Sequence, residues 1–212
     1  MKLSAVKSFE VDVDWAAQTV LPVEFKGKVF ELEARAYQGD DPAHQALVLI
    51  NRVSTATRAA TLPLVRVHSG CVTGDIFHSL KCDCHAQLQA SLEQITATPN
   101  GVLIYLPYHE GRGIGLVDKI RAYALQDVGV DTVDANIRVG APIDAREYDL
   151  AAHILFDLGF TDIRLLTNNP AKLEALRALG ITVTERVEIV TPVTRYNRRY
   201  IETKRARMAH QL

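Results

Sequence analysis

The chain has 212 residues, 48% of them hydrophobic and 7% aromatic, with 24 Lys+Arg against 25 Asp+Glu for a formal charge of −1. This size and balance fit one large or two small globular domains, and they exclude a global basic field that would recruit nucleic acid, so a polyanionic ligand must be held by local groups. No apolar run reaches the ~20 residues that span a bilayer, and "MKLSAVKSFEVDVDW" lacks the apolar stretch of a signal peptide, so the expectation is a cytoplasmic protein with reduced thiols and no membrane partner.

Little period is visible up to about residue 20. From Pro22, "VEFKGKVFELEARAYQ" alternates apolar and polar residues, which predicts strands folded as a hairpin around Gly27. "ALVLI" (46–50) and "LPLVRVHS" (62–69) read as further strands, separated by "NRVSTATRAAT". In "HAQLQASLEQI", Leu88, Leu92 and Ile95 recur at helical spacing, and "PNG" then leads into the buried-strand run "VLIYLP". "LVDKIRAYALQDVG" repeats Leu116, Ile120, Ala124 and Val128 on one face, with Gly129 as its C-cap. "EYDLAAHILFDLG" repeats the pattern and stops at Gly159, "DIRLL" is a short strand, and "NPAKLEALRALG" is a helix between Pro170 and Gly180. "ITVTERVEIV" follows as a strand, and the basic tail "TRYNRRYIETKRARMAHQL" reads as helical only in its last part. This alternation predicts an α/β fold, a mixed sheet with crossover helices and N-terminal antiparallel strands, in a single compact domain over 1–212.

All three cysteines, Cys71, Cys82 and Cys84, fall in "SGCVTGDIFHSLKCDCHAQLQ". An odd number cannot close into disulfides completely, and soft thiolates select zinc among the abundant divalent metals. Three protein ligands leave the fourth tetrahedral position open, as a catalytic zinc requires to lower the pKa of a water to about 7. A closed structural site would draw its fourth ligand from His68, His78 or His85, and three small buried hydrophobes with no metal are the remaining reading. The Cys82-Asp83-Cys84 turn favours one zinc per chain.

"HEGRGIGLVDKIRAY" sets three glycines and Arg112 immediately before a helix, where backbone N–H groups suit a phosphate. Its G-x-G-x-G spacing matches neither the dinucleotide fingerprint nor the P-loop, and a tight left-handed turn explains it equally. Arg66, Arg112 and Lys172 are the candidate phosphate ligands.

The segments "VRVHSGCVTGDIFHSLKCDCHAQL", "EGRGIGLVDKIRAYALQDVGVDTVDAN" and "LLTNNPAKLEAL" resemble the signature stretches of GTP cyclohydrolase II, from about Leu62 to the C-terminal "TKRARMAHQL", with the N-terminal 45 residues matching only loosely. The resemblance implies zinc on Cys71, Cys82 and Cys84, hydrolytic opening of the imidazole ring of GTP at C8, release of formate and pyrophosphate with Mg²⁺ assisting, and a homodimer. It places the nucleotide-contacting positions on Arg66, Val67, His68, Ser69 and Gly70, on Gln87, on Glu110, Gly111 and Arg112, and on Thr132, Thr167 and Lys172. The family's proton acceptor and nucleophile match Asp144 and Arg146, and its active-site tyrosine matches Tyr123. A guanidinium is a poor nucleophile, so Arg146 as an electrostatic clamp stays open beside that role.

The chain departs from the family pattern at three places. Gly70 stands where the family has Glu, His85 where it has Gly, and Tyr108-His109-Glu110-Gly111-Arg112-Gly113 where it has Arg-Gln-Glu-Gly-Arg-Asn. They motivate a second expectation, a specialised paralogue with an altered purine substrate or a truncated reaction. A zinc-stabilised nucleic-acid-binding or protein-binding module and an inactive nucleotide sensor are the rival classes.

Overall fold

The computed structural model describes residues 15–52 and 61–209. The readings made for 1–14, for most of the Thr/Ala/Arg-rich connection and for the last three positions fall outside the described residues. Strands β1 (Trp15–Phe25) and β2 (Lys28–Gln38) form the expected hairpin, turning through Lys26 and Gly27, both with positive φ, as a two-residue hairpin turn requires. β3 (Gln45–Ile50) continues the antiparallel run.

From there the chain becomes a crossover structure. β4 (Leu64–Ser69) leads through the short helix α1 (Val72–Asp75) and α2 (Cys84–Ala97) into β5 (Val102–Leu106). A 3-10 turn (Pro107–His109) and a kinked turn (Glu110–Gly113) precede α3 (Gly115–Asp127), followed by α4 (Thr132–Arg138) and α5 (Asp149–Asp157). β6 (Asp162–Leu166), α6 (Pro170–Ala178), β7 (Thr182–Val187) and α7 (Arg198–Met208) complete the order.

Among the described residues the strands form one seven-stranded sheet in the order β1-β2-β3-β5-β4-β6-β7. β3 pairs with β5 antiparallel, whereas β5, β4, β6 and β7 pair in parallel. The mixed α/β sheet with N-terminal antiparallel strands is therefore as expected. The chain leaves β4 towards β5 on one side and later returns to β6 on the other, and ligands of such sheets lie beyond the carboxyl ends of the strands at that reversal.

The period of two along each strand divides the core. Val48, Ile50, Val65, Val67, Val102 and Ile104 face the cluster containing Ile154, Leu155 and Leu176 of α5 and α6. Leu49 and Leu103 face the opposite side, with Ile95 of α2 buried against them and Leu88 and Leu92 packed on the same cluster. In β4 the alternation sends Val65 and Val67 to the first face, which leaves Arg66 and His68 on the side of α2 and the cysteines.

The helix predicted over Leu116–Val128 forms, but its apolar stripe turns outward: Leu116 is 47% and Ile120 49% exposed, while Lys119 and Ala122 are buried. The periodicity identified a stripe without identifying its partner. α4 was not expected; its signal is Asp131, whose carboxylate caps the helix by accepting from the N–H groups of Val133 and Asp134.

Candidate metal and nucleotide site

The three cysteines converge just past the end of β4 and at the start of α2, their sulfurs all within 4.8 Å of one another. Cys71 Sγ lies 3.8 Å from Cys82 Sγ. That is far beyond a disulfide's ~2.05 Å, and it matches the roughly 3.8 Å edge of a tetrahedron with Zn–S bonds of about 2.3 Å. The donor set therefore fits a zinc ion. Among the described residues no histidine or carboxylate joins the sulfurs within that spread. His68 is instead 3.2 Å from the Asp75 carboxylate, and His85 stacks on His78 with ring centroids 3.8 Å apart. Among the described residues the group of possible metal donors is these three sulfurs.

Two features hold the sulfurs there. Asp75 accepts from the Cys71 N–H at 3.0 Å, from His68 and from the Tyr105 hydroxyl, which fixes the turn between β4 and α1. Lys119, buried on the inward face of α3, places Nζ 3.0 Å from Cys71 Sγ and 2.5 Å from Glu110 Oε1; Glu110 Oε2 accepts from the Val72 N–H at 2.6 Å. Hydrogen bonds from Cys82 and Cys84, followed by the Lys119 ammonium, hold the Cys71 thiol far below its ordinary range, so it carries the thiolate. The anion at Cys71 pushes Cys82 up to about 11.

The cleft beside the sulfurs holds roughly 940 Å³ of open space, and Arg66, Arg112, Arg146 and Lys172 line it. Arg66 and Lys172 are buried, and among the described residues neither has a carboxylate partner within ion-pair distance. Arg66 donates to Leu166 O and Gln87 Oε1 and keeps a buried Nε without a partner; Arg112 keeps a buried NH2 group in the same state. Burial lowers Arg66 to about 10, and burial followed by repulsion from Arg66 and Arg146 drives Lys172 well below its ordinary value. Unpaired buried cations are costly unless an anion completes them. The arrangement is chemically suited to a polyanion.

Arg146 is held in place from two sides. Asp144 accepts from its Nε at 2.8 Å and from NH2 at 2.5 Å. Its NH1 donates to Ser69 Oγ at 3.3 Å; the Ser69 hydroxyl donates to His109 Nδ1 at 3.2 Å, and His109 Nε2–H donates to the Glu147 carbonyl at 2.8 Å. A carbonyl can only accept, so the proton sits on Nε2 and Nδ1 is the acceptor. Burial, with Lys172 and Arg146 nearby, lowers His109 to about 3, which keeps the imidazole neutral.

Most positions assigned from the resemblance come together here. Arg66, His68, Ser69 and Gly70 of the β4 end line the cleft, as do Gln87 of α2, Gly111 and Arg112 of the kinked turn, and Tyr123 of α3. Thr132, Arg146, Thr167 and Lys172 line it from the remaining sides. Glu110 and Asp144 stand behind Lys119 and Arg146 as their carboxylate partners. The Val67 side chain is turned into the opposite core, a consequence of strand alternation, and what Val67 offers this side is its carbonyl, which accepts from Lys172 Nζ at 2.5 Å. In the kinked turn Gly111 and Arg112 both have left-handed φ, 62° and 68°, so the turn reading of the glycine loop holds.

Sequence reasoning passed over Asp83, Lys119, Asn136, Tyr200 and Lys204, all in or against this cleft. Lys119 had a signal: it precedes Tyr123 by one helical turn, so both share a face. Tyr200 and Lys204 had the same spacing in α7 but nothing to say what that helix covers.

The family model described as GTP cyclohydrolase II matches residues 15–188. The chain is 44% identical over 204 residues to the "Riboflavin biosynthesis protein RibBA" of Salinispora tropica, covering 96% of this chain and 49% of that protein. It is 50% identical over 173 residues to the protein of the same description from Mycobacteroides abscessus, covering 82% and 41%. It is 56% identical over 147 residues to the "Probable bifunctional riboflavin biosynthesis protein RIBA 2, chloroplastic" of Oryza sativa subsp. japonica, covering 69% and 27%. The chain thus spans between about a quarter and half of the length of these relatives. With a match that takes in both the cysteine turn and the cationic cleft, the chain belongs to the GTP cyclohydrolase II family.

Proposed function

We propose that this chain is a zinc-dependent hydrolase that opens the imidazole ring of GTP at C8, releasing formate and, with Mg²⁺ on the triphosphate, pyrophosphate. The observation that carries the reading is one cleft lined both by three cysteine sulfurs at zinc-ligand spacing and by the buried Arg66 and Lys172, which among the described residues have no carboxylate partner within ion-pair distance. A zinc held by Cys71, Cys82 and Cys84 supplies Lewis acidity and lowers the pKa of a water towards neutrality.

The chain's own residues do the rest. Lys119 holds the Cys71 thiolate in place from the α3 side. Tyr123, kept protonated by burial first and by the neighbouring thiols, offers a phenolic hydrogen bond beside the sulfurs. Arg66, Arg112 and Lys172 take up phosphate charge. For Arg146, burial opposes the charge, but its bonds to Asp144 outweigh that and raise its pKa, which supports a clamp on the phosphate leaving group over a nucleophilic role. Such donors, fixed before substrate arrives, cost no reorganisation during the reaction.

We further propose a homodimer, supported by the outward apolar stripe of α3, and action in a compartment that keeps thiols reduced. No described helix is long and apolar enough to cross a membrane. A zinc-stabilised binding module is disfavoured because it calls for a fourth protein ligand.

The test is incubation of zinc-loaded protein with GTP and Mg²⁺, with products resolved by mass spectrometry. Formate, pyrophosphate and a diaminopyrimidine ribosylamine phosphate are expected. A formamide-retaining product would support the specialised paralogue, for which the departures at Gly70, His85 and His109 are the motive. GTP left intact would sink the main reading.

A further inference from the structure

The family match ends at residue 188, yet α7 (Arg198–Met208) reaches back over the cleft. Lys204, buried on its inner face, donates from Nζ to Asp83 Oδ1 at 2.9 Å. Asp83 is the residue between two of the three sulfur ligands, and its side chain is 0% exposed. Its other oxygen accepts from Gln87 Nε2 at 2.6 Å, and Gln87 Oε1 accepts from Arg66 at 2.8 Å. One chain of hydrogen bonds, buried at Lys204 and Asp83 and part-buried at Gln87, therefore runs from α7 through the cysteine turn to Arg66.

Tyr200 lies one turn before Lys204 on the same face, with Lys204 Nζ 4.7 Å from its ring centroid. The same ring carries Arg112, whose Cζ is 5.6 Å from the centroid and whose buried NH2 has no partner. The far end of α7 is tied to the start of α4, where Arg207 NH1 donates to Asp131 at 2.6 Å and to Asp134 at 3.0 Å. Ile201 is buried between these contacts.

We infer that α7 is a positioning element of the site, in which Lys204 braces the Cys82-Asp83-Cys84 turn for the metal and Tyr200 aims Arg112 at the anion. This rests on the reading of the cysteines as a metal site and of the cleft as a nucleotide site. A desolvated ion pair fixes Asp83 only while both partners are present, since either one alone is an uncompensated buried charge. An aromatic face beneath a guanidinium orients it while leaving its N–H groups free for a ligand.

The test uses the full chain and two binding readouts that need no turnover: zinc affinity by competition with a chromophoric chelator, and pyrophosphate affinity by calorimetry. Lys204→Met is expected to weaken zinc binding about 10–100-fold, the range for losing a partner behind a metal ligand, with Lys204→Arg recovering most of it. Tyr200→Leu is expected to weaken pyrophosphate binding about 3–10-fold, the scale of a lost cation–π contact, while Tyr200→Phe keeps wild-type affinity. If Lys204→Met does not fold, the Tyr200 pair decides. Wild-type zinc affinity in a folded Lys204→Met chain, or wild-type pyrophosphate affinity in Tyr200→Leu, would overturn the inference. A wild-type protein that binds zinc and pyrophosphate but leaves GTP intact would instead refute the proposed reaction and leave this inference to its own two readouts.

Discussion

Gly74 and Cys84 approach so closely that a Cβ on the glycine would stand 2.9 Å from the cysteine's Cβ, and 3.0 and 3.1 Å from the sulfurs of Cys82 and Cys71. The glycine is the gap into which the three ligands converge. Gly74→Ala should therefore spread the sulfurs, because overpacking a dense site costs about 1–3 kcal/mol and is relieved by moving whatever is free to move. The expected result is loss of stoichiometric zinc, read by elemental analysis after dialysis, in a chain whose circular dichroism is unchanged. Full zinc content in Gly74→Ala would contradict the close approach.

Gly70 differs in kind. A Cβ there would stand 2.9 Å from Pro107 Cα and 3.0 Å from Leu106 O, which are backbone atoms that cannot swing aside. Restoring the family's glutamate at this position alone is thus expected to lower stability by about 1–3 kcal/mol, which at about 2–4 °C per kcal/mol is a clear fall in Tm, and to lower turnover with it. A Gly70→Glu chain with unchanged Tm would show that the β5 end yields.

These two glycines illustrate what was legible in the sequence. The strands, the crossover helices, the thiol cluster and the positions of Arg66, Arg146 and Lys172 followed from periodicity, spacing and resemblance, because each leaves a local mark. The absence of a side chain at Gly74 leaves none, since its reason is two sulfurs and the Cβ of Cys84 brought in from two segments. Lys119 faces inward from α3 although the apolar stripe of that helix is exposed, an inversion that periodicity alone does not mark. Lys204 and Asp83 are 121 positions apart, and no local pattern joins them.

Among the described residues Lys172, buried beside Arg66 and Arg146, has its hydrogen bond to a carbonyl of β4, and under the proposed function this arrangement favours anion binding at the expense of the free protein's stability. Lys172→Met should consequently raise the Tm of the free chain while weakening pyrophosphate binding at least tenfold. This is the exchange of stability for function expected at a prepared binding site. A variant that loses both stability and binding would mean that Lys172 is chiefly structural.

His109 supplies a pH prediction whose sign is fixed by its burial. Its folded pKa is about 3 against an ordinary 6.5, with burial the largest cause and Lys172 and Arg146 next. A group depressed in the folded state contributes its full stability above the unfolded value, so the contribution is intact above pH 6.5 and is lost as pH falls towards 3. At 1.36 kcal/mol per unit this amounts to a few kcal/mol at most. Denaturation curves across that window should show a slope that His109→Gln flattens, and an NMR titration should find the ring neutral at pH 5 (roughly two units above its folded value). A ring that titrates near 6.5 would contradict the buried, neutral His109 of the Ser69–His109–Glu147 hydrogen-bond chain.

The outward face of α3 carries the last prediction. Leu116, Val117 and Ile120 are 47%, 63% and 49% exposed on a helix whose other face is committed to the cysteine cleft. Contiguous exposed apolar side chains on a folded chain mark an association surface, and a two-fold contact between copies is the commonest solution. The wild-type chain is expected to scatter light as a dimer, and Ile120→Glu, which sets like charges against each other across a two-fold axis, is expected to yield a monomer. Because Ile120 is exposed while Lys119 and Tyr123 line the cleft, zinc content should survive the change. A monomeric wild-type chain at micromolar concentration would assign this stripe to a different partner, and an Ile120→Glu dimer would move the interface elsewhere on the surface.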